Sequence, residues 1–283
     1  MVVCETIADL RAARANLPAP VGFVPTMGYL HAGHMALVHR AKQENAATVV
    51  SIFVNPIQFD RAEDLARYPR DLPRDMRLLE EAGVDLVFIP SVEEMYPAGF
   101  RTVVHVREIT EVLEGKHRPG HFDGVTTVVT KLLNIVQPDR AYFGQKDAQQ
   151  AIVVKQLVTD LNIPVEVREV ATVREPDGLA LSSRNVLLSP AGRAVAPTLY
   201  RALRAAQTAW QGGERDADRL RAIVREELAQ EPRIEVEYVS LADLETLREL
   251  EGEVRRGLLS LAAWIDGVRL IDNVRLESIR DTT

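Results

Sequence analysis

Residues 21–54 set the architecture that the rest of the chain must accommodate. Val21 to Val24 and Thr48 to Val54 are apolar at nearly every consecutive position, and Met35, Leu37, Val38 and Ala41 recur between them at helical spacing. A strand apolar on both faces belongs in a parallel sheet covered by helices. Two such strands joined by a helix make a βαβ unit. The first strand stops at Pro25, and Thr26, Met27 and Gly28 make the turn, with Gly28 supplying freedom in φ. His31 and His34 follow where strand gives way to helix. Open α/β sheets bind ligands at these carboxyl ends, and the free N–H groups of a helix start attract phosphate. Side chains three apart share a helix face, so both imidazoles can donate to phosphate oxygens. Gly33 lets a ligand approach the backbone closely. A lone His-x-x-His is more often incidental; the strand–turn–helix setting is what points to function.

The arrangement recurs downstream. Pro138 to Phe143 reads as a strand, and Gly144-Gln145-Lys146-Asp147-Ala148-Gln149-Gln150 leads from it into a helix through Leu161. At a strand end, Lys146 can place a point charge on phosphate oxygens, whereas a lysine in an arbitrary loop is a solvated charge. Thr48 to Val54 ends in Asn55-Pro56-Ile57-Gln58-Phe59. Asn55 and Gln58 each donate and accept, as recognition of a hydroxyl or carboxylate requires; an ordinary Asn-Pro turn reads the same way. Gly115 to Gly124, dense in glycine, basic residues and histidine, is either a flexible surface loop or a phosphate contact. Ser182-Ser183-Arg184 offers donors in three consecutive residues, which suits a triphosphate but is also common loop wording.

The remaining pattern supplies further elements. A helix is expected over Thr6 to Leu17 with Thr6 as cap. Strands are expected over Val84 to Ile89, Arg101 to Val106 and Pro164 to Val173, and an apolar core helix over Val125 to Val136. Residues 60–83 read as charged, helical in their second half, with most charges on a solvated face. After Asn185, Ser189-Pro190 starts a long helix to about Trp210, and another spans Asp216 to Gln230. Ile234 to Val239, Leu258 to Ile265 and Val268 to Leu276 read as strands.

Composition limits the function classes. With 46% of 283 residues hydrophobic, the chain can bury a substantial core and divide into two domains. The net charge of −7, from 34 basic and 41 acidic residues, argues against bulk electrostatic binding of nucleic acid. Cys4 is the one cysteine, so no intrachain disulfide forms and a reducing compartment, the cytoplasm, is expected. Neither a secretory signal nor a membrane-spanning run of about 18 apolar residues is seen, so no membrane partner is expected.

Thr26-Met27-Gly28-Tyr29-Leu30-His31-Ala32-Gly33-His34 resembles the HIGH motif of the adenylyltransferase superfamily. With Pro25 before it, the wording is similar to the pantothenate synthetase family. Further motifs in the same order strengthen the resemblance: FVNPIQF, RPGHF, FGQKDAQQ, which is similar to the family's FGEKDxQQ, and LSSRN, similar to its MSSRN. The resemblance covers residues 21–193 by motif and the remainder by length and pattern. It implies an α/β fold, with a Rossmann-like parallel-sheet domain over residues 1–184 and a smaller α+β lid domain over 185–283. It implies ATP-dependent joining of (R)-pantoate and β-alanine through a pantoyl adenylate, releasing AMP and pyrophosphate. Carried over by motif, His31, His34 and Lys146 are catalytic. Met27, Gly28, Tyr29, Leu30, His31, Ala32, Gly33 and His34 bind ATP, as do Gly144, Gln145, Lys146, Asp147, Val173, Leu181, Ser182, Ser183 and Arg184. Gln58 and Gln150 hold pantoate, Gln58 also meets β-alanine, and Arg118 lies beside the active site. Mg²⁺ is expected mainly on the phosphates, without a dedicated protein site, and a homodimer is expected by resemblance. Gln145 replaces the family's usual glutamate, Ala148 its aromatic residue and Leu181 its methionine, the last a conservative change.

Two other readings compete. One is a nucleotidylyltransferase of the same fold with another acceptor, such as a cytidylyltransferase; the paired glutamines argue against it. The other is a non-catalytic nucleotide- or RNA-binding relative; His31, His34, Lys146 and the acidic balance argue against that.

Overall fold

The structure is a computed structural model that describes residues 1–277. Six strands form a parallel sheet: β1 (Val2–Cys4), β2 (Val21–Thr26), β3 (Ala47–Ile52), β4 (Leu86–Phe88), β5 (Arg140–Gly144) and β6 (Glu166–Val170), in the order β1-β4-β3-β2-β5-β6. From β2 the chain steps outward through β3 and β4 on one side and through β5 and β6 on the other, with β1 added beyond β4, so loops leaving β2 and β5 diverge and open a crevice at their carboxyl ends. This is the topological switch point where such sheets bind ligands.

The consecutive apolar runs are explained by helices on both faces. Val21, Phe23, Val49 and Leu86 face one core with helices Ile7–Arg14, His121–Val136 and Ala148–Asp160. Val24, Val50, Val87 and Tyr142 face the other with helices Ala32–Glu44 and Leu72–Glu81.

The C-terminal part is an antiparallel sheet of β7 (Ile234–Ala242), β8 (Gly257–Ile265) and β9 (Val268–Leu276), ordered β7-β8-β9. Asp266 and Gly267 connect β8 to β9 with φ of 49° and 80°, a primed hairpin turn whose twist matches its strands. Helices Thr198–Gln211 and Ala217–Leu228 cover one face. Ion pairs tie the C-terminal sheet to the helix Glu114–His117 and to the loop after β6. Arg269 donates to Glu114 at 2.6 and 2.9 Å, and Arg174 to Asp272 at 2.6 and 2.8 Å. The expected division between residues 184 and 185 falls inside a short 3-10 segment, Ser183–Leu187, and residues 278–283 of that second unit lie outside the described residues.

Several expectations are corrected. Arg101 to Val106 forms no strand; Val104 donates to Thr127 Oγ1 at 3.0 Å and accepts from Thr126 Oγ1 at 2.5 Å, so hydroxyls of a neighbouring helix replace a partner strand. The long helix after Ser189 is two, Pro190–Val195 and Thr198–Gln211, because Pro197 has no N–H to donate to the preceding turn. Ala62–Arg67 is helical despite the prolines beyond it. Val2–Cys4, not expected as a strand, pairs with β4 at the sheet edge.

Candidate active site

The segment between β2 and its helix is held by a buried carboxylate. Asp75, 1% exposed, accepts from Tyr29 N and Leu30 N at 2.7 Å each, one oxygen to each donor. Burial pushes its carboxyl pKa up, and the two N–H donors oppose that rise. In the sequence Asp75 loosely matches the resembling family's pattern but stands in a stretch whose charges mostly read as a solvated face. Scattered charge does not show that one of them turns inward. Arg74 braces the same loop by donating to Leu30 O at 2.8 Å. Gly28 is required twice over: its φ is +79°, and a Cβ there would lie 3.1 Å from Asp75 Oδ2.

His31 is the N-cap of helix Ala32–Glu44, and the two histidines cap it reciprocally. Gly33 N donates to His31 Nδ1 at 3.1 Å, and His31 N to His34 Nδ1 at 3.3 Å. A backbone N–H can only donate, so both Nδ1 atoms are acceptors and both neutral rings carry their proton on Nε2. Burial, with Lys146 nearby, lowers the His31 pKa to about 4; burial, then His31 and Lys146, lowers that of His34 to about 3. At neutral pH both rings are uncharged Nε2–H donors, their centroids 4.0 Å apart.

Gln58 is set by a second network. Asn55, 1% exposed, donates to Gln58 Oε1 at 2.9 Å and Gly124 O at 3.0 Å, and accepts from Tyr96 OH at 2.7 Å. His121 Nδ1 donates to Gln58 O at 2.8 Å, which leaves its Nε2 to accept from Arg118 at 3.2 Å. Burial and the adjacent Arg118 lower the His121 pKa to about 4. Gly124 allows helix His121–Val136 to sit on this turn; a Cβ there would meet Gln58 Cα at 2.5 Å.

These groups converge. Met27, His31, Gly33, His34, Gln58, Gly144, Lys146, Asp147, Gln150, Val173, Leu181, Ser182, Ser183 and Arg184 line one cavity, with Arg118 at its side. Gly28, Tyr29, Leu30, Ala32 and Gln145 do not line it. Leu30 is fully buried in the core and its N–H is occupied by Asp75. The two adjacent glutamines separate: Gln150 faces the cavity, while Gln149 is buried and donates to Ile109 O and Val112 O at 2.8 and 2.9 Å. Lys146 Nζ stands 3.6 Å from Asp147 Oδ1.

Sequence reasoning missed the apolar wall. It assigns Val125, Val128, Val129 and Leu132 to the core alone, and they are buried yet line the cavity. Helical periodicity looks the same for a core stripe and a cleft wall. Thr172 Oγ1, also lining the cavity, is buried without a hydrogen-bond partner among the described residues. Among the described residues no three His, Cys, Asp or Glu side chains converge as a metal-binding group.

Comparison with known proteins shows the family. The family model for pantoate-beta-alanine ligase matches residues 2–275. The pantothenate synthetase of Chloroflexus aggregans is 64% identical over 274 residues, 96% of this chain and 99% of the relative. The crystal structure of pantothenate synthetase from Thermus thermophilus superposes with a TM-score of 0.93 at 53% identity, covering 98% of this chain and 100% of that one. The pantoate-beta-alanine ligase of Francisella tularensis, solved with beta-gamma ATP and beta-alanine, gives 0.80 at 37% identity over 97% of each chain. With a family match across nearly its whole length and a site built at the switch point of the same fold, the chain belongs to the pantoate–β-alanine ligase family.

Proposed function

We propose that this chain joins (R)-pantoate to β-alanine at the expense of ATP, in two steps at the cavity between the carboxyl ends of β2 and β5. The observation that carries the assignment of roles is the meeting there of two neutral imidazole donors, Lys146 and the Ser182-Ser183-Arg184 segment with the amides of Gln58 and Gln150. One side suits a polyphosphate, the other an uncharged grip on a small hydroxy acid.

In the first step a pantoate carboxylate oxygen bonds to the α-phosphorus and the bond to the bridging oxygen breaks, releasing pyrophosphate. The carboxylate is already ionised near neutrality, so its attack needs no base. An amide at Gln145, where relatives of this wording carry an acid, is compatible with that chemistry. His31 and His34 donate to oxygens on which charge develops, and being neutral they do not neutralise the attacking carboxylate. Lys146 and Arg184 balance the departing diphosphate. In the second step the β-alanine amine bonds to the acyl carbon and the carbon–oxygen bond to AMP breaks, with the amine's surplus proton leaving to solvent. Gln58 and Gln150 hold pantoate throughout, leaving its carboxylate free, and Gln58 also orients β-alanine.

The ATP contacts in this proposal are the motif residues that line the cavity: Met27, His31, Gly33, His34, Gly144, Lys146, Asp147, Val173 and Leu181 to Arg184. The cavity offers one carboxylate among the described residues, Asp147, a donor set that suits Mg²⁺ carried on phosphate and water rather than in a protein cage. That ion supplies further neutralisation of phosphate charge when bound. The proposal also takes residues 1–184 as the catalytic domain and 185–283 as a covering domain, in a cytoplasmic homodimer.

The test is exchange of labelled pyrophosphate into ATP with β-alanine omitted. Pantoate-dependent exchange is expected. Its absence, with pantothenate still formed when all three substrates are present, would overturn the two-step assignment.

A further inference from the structure

The C-terminal sheet meets the lysine-bearing turn through one side chain. Asn273, on β9, is 4% exposed. Its Nδ2 donates to Gln145 O at 3.0 Å and to Lys146 O at 2.9 Å, the backbone of the short turn between β5 and helix Ala148–Asp160. Two carbonyls can only accept, so the amide orientation follows from chemistry. Asn273 is fixed in turn. Its backbone N donates to Asp272 Oδ1 at 2.8 Å, and Asp272, 3% exposed, pairs with Arg174 at 2.6 and 2.8 Å. Arg174 is clamped over the Tyr200 ring at 3.6 Å. Among the described residues β9 is an edge strand with no strand on its outer side, which leaves that side available to the catalytic turn.

We infer that Asn273 is a positioning residue for Lys146: it holds the turn's backbone so that the ammonium stays aimed into the cavity. This deepens the proposed function and rests on it. Lys146 side-chain exposure is 19%, and the carboxylate near its Nζ, Asp147 at 3.6 Å, sits on the same turn. A shift of the turn therefore moves both charges together. The amide joins β9 to the turn after β5, so the seating of the C-terminal sheet bears directly on the placement of the lysine.

The inference separates the half-reactions. Lys146 acts on the triphosphate, which is present only in adenylation. Asn273→Ala should lower kcat for pantoate-dependent pyrophosphate exchange by about ten- to a hundredfold, the range for a misplaced catalytic group. It should leave attack of β-alanine on pre-formed pantoyl adenylate within about twofold. Asn273→Asp keeps the shape, removes the donor and should lose at least as much, which provides a second reading if the alanine variant folds poorly by circular dichroism.

A double-mutant cycle closes the test. In a Lys146→Ala background, already slowed, Asn273→Ala should cost less than about twofold more. Additive losses, or equal losses in both half-reactions, would make Asn273 merely structural and overturn the inference. A Lys146→Ala enzyme with normal exchange would instead overturn the role given to Lys146 in the proposed function, and with it the inference.

Discussion

Replacing Asp75 by asparagine tests whether a buried carboxylate holds the histidine loop in place. Asp75 gives one oxygen each to Tyr29 N and Leu30 N, both at 2.7 Å, inside a site it leaves only 1% exposed. Hydrogen bonds to an ionised group contribute about 1.5–3 kcal/mol each. Asparagine keeps one acceptor and turns an NH₂ toward the other backbone donor, so one bond is lost and one N–H is left facing another donor. Against that, the variant no longer buries a charge, a burden shown by the raised pKa of the carboxyl. The net destabilisation should be about 2 kcal/mol, read as a lower urea midpoint with unchanged slope. The activity loss should be larger in proportion. Tyr29 and Leu30 lead directly into His31, whose backbone N also donates to His34 Nδ1, so a loop displaced by about 1 Å should lower kcat by up to about a hundredfold with little change in KM for ATP. Pyrophosphate exchange and urea titration on the same preparation provide both readings. A variant with a normal midpoint and normal kcat would refute the claim that Asp75 positions the histidines.

Two further predictions follow from the same geometry. Gly124→Ala places a methyl 2.5 Å from Gln58 Cα, so either the helix or the Gln58 turn must move; it should raise KM for pantoate well above its effect on KM for ATP, measured by steady-state kinetics, and equal effects on both would count against the assigned role of Gln58. His31, His34 and His121 have pKa values lowered to about 4, 3 and 4, so between the ordinary histidine value near 6.5 and these values the unfolded chain binds more protons than the folded one. Stability should therefore fall as pH drops from 6.5 toward 4, and His34→Gln should flatten that slope in urea midpoints taken across the range.

The sequence by itself determined the local elements and the chemistry-bearing loops. Consecutive apolar runs around a helical period required a doubly covered parallel sheet, and both βα turns, His31 to His34 and Gly144 to Gln150, were legible because polar groups at a strand end next to a helix start are a local signal. Tertiary structure decided what no local signal carries. It made β2 and β5 neighbours although 113 residues lie between Thr26 and Arg140, bringing the two turns to one cavity. It turned Asp75 inward from a charged stretch, since a charge's burial depends on which distant N–H groups meet it. It sent Gln149 into the core and Gln150 into the cavity, because adjacent helical residues point about 100° apart and the sequence does not state which direction faces the cleft. It denied Arg101 to Val106 a partner strand while threonine hydroxyls met its backbone. And it joined Asn273 to Lys146 across the chain, a contact made by backbone carbonyls, which every residue has and which therefore leave no trace in residue type.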